Sequence, residues 1–272
     1  MAITNLDQLV AGFNPPEFFL KATGSPEGAG TMHSLLYALG IPGAGVAPTS
    51  GLNGESLAFY AGQLPIKAPL VGQSKYIARV ALIPSVNCGF ALNDRLWHNS
   101  GINMTTLTEQ VIDSVVFPAR DANGSSAGQG VMVALEVSTD TGNLAPITDT
   151  TIRYTSSSGV PNRVGFYDPS YTFPTTALRG TFVPFILQAG DTGVRSVQGL
   201  TLGTSYVSGI MHLVAYRPVA LIAVAIANIT AYEDAVSLGL PRLYTDPVLF
   251  AVVHPTSASA FKVQGLIVLA TG

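Results

Sequence analysis

Charge is scarce in this chain. Lys and Arg number 13 and Asp and Glu 16 in 272 residues, so 11% of positions are charged against about 25% in ordinary soluble domains. The net charge of −3 is spread thinly and no basic run occurs, which argues against a surface that follows a phosphate backbone, so direct nucleic-acid binding is not expected. Cysteine is nearly absent. Cys88 stands alone, which excludes an internal disulfide framework and fits assembly in a reducing cytoplasm. Long apolar runs are missing as well. "VALIAVAIA" (Val219–Ala227) has nine apolar residues in a row, whereas a bilayer-spanning helix needs about 20. The start, "MAITNLDQLV", has neither a basic opening nor an apolar core of signal length, so neither a membrane span nor an export signal is expected.

What is abundant is apolar surface, 47% of residues, without the charges that usually keep such a surface apart from others. That balance points to a protein that hides apolar area against partners, in an oligomer or a lattice. Within Val219–Ala227, Ile222, Val224 and Ile226 alternate with alanines. A period of two with large residues on one face predicts a strand whose alanine face lets a second layer approach.

Residues 1–70 read differently from 71–272. Leu6, Leu9, Val10 and Phe13 fall at helical spacing behind Asn5, a fitting N-cap, and predict a short amphipathic helix. "NPPEFF" stops it, since proline cannot continue a helix. "TMHSLLYALG" predicts a second short helix ending at Gly40, and the Gly- and Pro-rich residues 40–69 an extended arm, packed on its own domain or reaching to a neighbour. Phe13, Phe18, Phe19, Pro42, Pro48, Pro65 and Pro69 are the expected contact residues of this region.

From residue 75 the segments "YIARVALIP", "GINMTTLT", "DSVVFPA", "GVMVALEVST", "TTIRYTSS", "GTFVPFIL", "VRSVQGLTLG" and "SGIMHLVAYRP" are rich in β-branched and aromatic residues. Most are bounded by turn formers. Two more strands are expected at 248–253 and 261–269. In "GVMVALEVST", Val131, Val133, Leu135 and Val137 share one face opposite Met132, Ala134, Glu136 and Ser138, the pattern of a half-buried antiparallel strand. The prediction is a mainly all-β chain: an antiparallel β-sandwich or jelly-roll-like domain over 71–272, preceded by an N-terminal region of short helices and extended arm over 1–70.

Motifs for chemistry are thin. "GIPGAGVAP" lacks the Lys-Ser/Thr ending of a phosphate loop, and "GTSYV" lacks the closing glycine of a nucleophile elbow. His33, His98, His212 and His254 are scattered and suggest no metal site. Glu233 and Asp234 are adjacent in sequence, where side chains need not converge. Asp121-x-Asn123-Gly124 reads as a hairpin turn rather than a calcium loop. Cys88 reads as a buried thiol. The densest polar cluster, "NDRLWHNSG", offers Asp94, Arg95, Trp97 and His98 as a candidate recognition site. A loop braced by an Asp–Arg pair over a packed Trp97 is the structural alternative. No catalytic residue, cofactor or metal is expected.

The stretches "MAITNLDQLVAGFNPPEFFLKATG", "DRLWHNSG" and "TLGTSYVSGIMHLVAYRP" resemble a family of tailed-bacteriophage virion structural proteins. None is a catalytic motif. The resemblance implies a capsid decoration (cement) protein on the outside of the shell, often a homotrimer, with the major capsid protein as partner and the virion surface as location. The alternatives are a carbohydrate-binding or host-attachment module, in which Trp97 stacks on a sugar, and a minor or major capsid protein.

Overall fold

A computed structural model of the protein describes residues 3–24, 28–66, 73–142, 149–167 and 176–272. Strands make up 46% of it and helix 5%, an all-β sandwich. A short helix, α1 (Leu6–Ala11), is followed by β1 (Glu17–Ala22), β2 (His33–Ser34), a 3₁₀ turn (Leu35–Tyr37), β3 (Leu39–Ile41) and β4 (Glu55–Ser56). Then come β5 (Lys75–Pro84), β6 (Cys88–His98), β7 (Gln110–Val111), β8 (Met132–Gly142), β9 (Thr151–Ser156), β10 (Arg163–Tyr167), β11 (Phe182–Ile186) and β12 (Val194–Thr201). The chain ends with β13 (Ser208–Val224), β14 (Ala231–Asp234), α2 (Ala235–Leu238), β15 (Arg242–Leu243), β16 (Leu249–Pro255) and β17 (Lys262–Thr271).

The strands form two curled antiparallel sheets. The smaller has the order β14-β5-β17-β1-β3 with β15 also on β5; the larger runs β2-β16-β6-β13-β8-β11-β10-β9-β12-β7 with β4 on β6. One core lies between the sheets: Phe19, Ile77, Val80, Val263 and Ile267 of the smaller meet Phe90, Leu92, Ile222, Leu249 and Val253 of the larger. A second core fills the curl of the larger sheet, with Trp97, Val133, Leu135, Ile152, Tyr154, Val197 and Leu213. β13 serves both, contributing Leu213 and Ala215 to one and Ile222 and Val224 to the other. The register shift between Pro218 and Ala220 lies at the changeover, and a bulge is where a central strand tolerates a proline that cannot donate to the ladder.

A third apolar cluster lies on the outer face of the larger sheet. Phe182, Val214, Tyr216, Phe250 and Val252 pack there under Leu36 and Tyr37 from the N-terminal region. This cover explains β8. Ala134 and Glu136, expected on a solvated face, are fully buried, because residues 35–37 roof the sheet.

The described residues between 3 and 66 are therefore woven into the sandwich rather than standing off as an arm. β1 pairs with β17 along its whole length and with β3, while β2 joins β16 and β4 joins β6. The Nζ of Lys21, 1% exposed, donates to the carbonyls of Ala38, Gly43 and Gly62, tying the Gly-rich stretch to the domain. Burial pulls the Lys21 pKa down to about 8. Asn5 caps α1 as expected, its side chain accepting from the Gln8 N–H. The expected second helix is only the 3₁₀ turn, hemmed in by β2 and β3.

Other expectations shift too. "GINMTTLT" and "DSVVFPA" are mostly irregular: Ile102, Ile112 and Phe117 are buried from loops, so their apolar character comes from core contact, not from a ladder. The polar cluster expected as a loop is the end of β6, a central strand. Ile222 and Val224 are buried as the alternation implies, but Ala223 and Ile226 face outwards, with no second layer over them among the described residues.

Candidate interaction surfaces

Strand β6 draws Asp94, Arg95, Trp97 and His98 into the interior, where all four are 0% exposed. Asp94 and Arg95 do not pair with each other. Asp94 accepts from Arg120 Nε (3.1 Å) and Nη2 (3.2 Å) and from the Val248 N–H (3.0 Å). Arg95 Nη1 donates to Glu136 Oε2 at 2.6 Å, which also accepts from the Tyr37 hydroxyl. Trp97 packs against Phe117 and donates to Asn53 O at 3.0 Å. Gly54 lies so close that a Cβ there would meet the indole at 2.4 Å. A tryptophan sealed in this way cannot stack on a sugar ring, so the glycan site centred on Trp97 is overturned. The ionic pairs knit β6, β8 and the 120s loop together. Removing one partner of such a buried pair costs about 3–5 kcal/mol.

The hydrogen bonds also fix the histidine tautomers. Arg95 Nε–H can only donate, so His98 Nδ1 accepts (3.2 Å) and its Nε2–H donates to Glu55 (2.8 Å). His212 Nδ1 donates to the Asn99 carbonyl at 2.8 Å, leaving Nε2 to accept from the Ser138 hydroxyl at 2.6 Å. Burial, with Arg95 adding repulsion, pushes the His98 pKa down to about 2, and burial takes His212 to about 4. Both rings are neutral braces. Cys88 is buried as expected, and burial raises its pKa to about 11, which leaves it a protonated, inert thiol. Asp121 braces its turn by accepting from the N–H groups of Asn123, Ser125, Gly128 and Gln129. Among the described residues, no three His, Cys, Asp or Glu side chains are grouped to hold a metal ion, and no helix is long and apolar enough to cross a membrane.

Among the described residues, two apolar surfaces remain uncovered. The first is the outer face of the smaller sheet. Register places Ile41 beside Leu20, and Leu20 beside Gln264 and then Ile83; the next row holds Phe18, Leu266, Ala81 and Tyr232. Leu39 extends the patch on the edge strand β3, where it is 69% exposed and Ile41 66%. Antiparallel sheets usually turn polar residues outwards; here Phe18, Leu20, Leu39, Ile41, Ile83 and Tyr232 are all at least 38% exposed. Taking about 150–250 Å² for a fully exposed large side chain, the six offer roughly 500–800 Å², at or above the 300–600 Å² of the largest patch on a typical monomer.

The second is a trough on the outer face of the larger sheet, beyond the roof of Leu36 and Tyr37. Depressions of about 570 and 300 Å³ share Met32, Ala91, Leu221 and Val252, and a third of about 490 Å³ adjoins the first at Met132 and Pro184. Phe182, Tyr216 and Pro218 line the floor and side of the largest, and Leu221 stands 73% exposed at its rim.

Of the expected contact residues, Phe13 and Phe18 are exposed and Pro42 and Pro65 half-buried. Phe19 is 2% exposed and stacks on Phe90 over Gly265, and Pro48 is buried; neither can meet a partner. Pro69 lies outside the described residues. Sequence reasoning missed Leu39, Ile41 and Leu221. Alternation along β1 could have separated Phe18 from Phe19, but no local signal marks the outward face of a sheet as uncovered.

No family model matches the chain, and no curated protein or solved structure matches it.

Proposed function

We propose that the protein is a structural component of a tailed-phage virion, a decoration (cement) protein that binds the outside of the capsid shell, bridges capsomers and works as a homotrimer without catalysis. The apolar outer face of the smaller sheet carries the self-association in this reading: a sandwich presenting a large apolar surface suits a protein that works as an assembly of copies. The ionisable groups brought together inside it are buried and paired with one another, as bracing requires. Resistance to capsomer separation needs buried contact area and shape, and a sandwich stapled across β6 supplies a stiff body on which to display both. The resemblance of the three quoted stretches to phage virion proteins is what suggests the major capsid protein as the partner.

Co-sedimentation with capsid shells of the phage encoding the chain, before and after expansion, tests the proposal. Saturable binding at a fixed ratio to capsomers is expected. Shells that pellet without the protein at every ratio would overturn it.

A further inference from the structure

We infer that the two uncovered apolar surfaces are the halves of one head-to-tail contact, in which the patch of one copy, led by Phe18, Leu20, Leu39 and Ile41, seats in the Leu221 trough of the next. The inference rests on the self-association just proposed, not on binding to a shell. Its occupant is a second copy for three reasons.

The first is area. The patch presents roughly 500–800 Å², of the order of the ~800 Å² that each partner contributes to a standard stable interface. The second is shape and chemistry. Leu39 and Ile41 project from an edge strand, and the trough offers Met132, Phe182, Pro184, Tyr216, Leu221 and Val252, a concave apolar wall that such a ridge can enter, with the exposed Lys262 beside Ala22 in the Leu39 row able to stay at its rim. The third is that one contact covers both surfaces. A two-fold contact of patch against patch would leave the trough bare on every copy. Because donor and acceptor surfaces differ, the contact is heterologous, the kind that closes into rings such as a trimer. It also occupies the edge strand β3, whose unpaired backbone and flanking apolar side chains are otherwise a route to aggregation.

The test uses the full-length protein and two double variants at exposed positions, so folding is retained: Phe18→Lys with Leu39→Lys on the patch, and Leu221→Lys with Ile186→Lys at the trough and its extension. Solution mass is measured by light scattering on a sizing column, with circular dichroism as the check on folding. The wild type is expected as a closed oligomer, and each double variant as a 28.3 kDa monomer. Mixed in equal amounts, the two variants should form a species of twice that mass, because the intact trough of one still accepts the intact patch of the other. Variants that keep the wild-type mass, a mixture that stays monomeric, or a monomeric wild type would each overturn the inference. Shell co-sedimentation of the wild type is read separately, so loss of self-association and loss of capsid binding are distinguished.

Discussion

Acid should destabilise this protein from about pH 6.5 downwards, because two histidines are buried neutral. In the unfolded chain both rings take up a proton near the ordinary histidine pKa of about 6.5. In the folded chain His212 resists until about pH 4 and His98 until about pH 2. Below 6.5 the unfolded state therefore binds more protons than the folded one, and stability, complete above 6.5, falls as the pH drops. Each ring contributes about 1.4 kcal/mol per pH unit over that window. At pH 5 the pair removes ~4 kcal/mol, a large part of the 5–15 kcal/mol that holds a typical domain together. The geometry supports the direction independently: protonating His98 Nδ1 would set it against the Arg95 N–H at 3.2 Å, and protonating His212 Nε2 would force the Ser138 hydroxyl to turn away. Glu55, half-exposed beside His98 Nε2, softens the effect without reversing it. Urea midpoints between pH 7.5 and 5 provide the assay, repeated with His212→Asn, which should flatten the curve by about half whatever its own stability. A wild-type midpoint unchanged from pH 7 to 5 would refute the reasoning.

Three further outcomes are expected from urea unfolding. Glu136→Gln leaves the Arg95 guanidinium buried without its counter-charge and should cost about 3–5 kcal/mol, while the double change Arg95→Met with Glu136→Leu should recover much of the loss. Adjacent phenylalanines should behave oppositely: Phe19→Ala opens a void beside Phe90 and costs about 3–5 kcal/mol, whereas Phe18→Ala on the exposed patch stays within about 0.5 kcal/mol in the monomer. Gly54, at φ +70°, has no room for a Cβ beside Trp97 and the His98 carbonyl, so Gly54→Ala should destabilise by more than about 1 kcal/mol; a neutral result would mean the 50s loop is not seated on the indole.

By itself, the sequence determined the features that repeat locally. Alternation with a period of two marked β8 and the end of β13, because each side chain of a strand faces opposite to its neighbours whatever lies beyond, and β-branched and aromatic composition marked β5, β9 and β17. Asn5 at the head of α1 was legible for the same reason: a cap bonds within its own turn. The three apolar faces of the chain depend instead on what folds over them. β6 was unreadable because its charges, which suggest a loop, are neutralised by Arg120 and Glu136, 26 and 41 residues away. The arm became part of both sheets because β17, some 240 residues downstream, supplies the ladder for β1. Which apolar residues stay uncovered was decided last of all. Phe18 and Phe19 are equal in composition and adjacent in sequence, and only the closing of one sheet over another makes one of them core and the other surface.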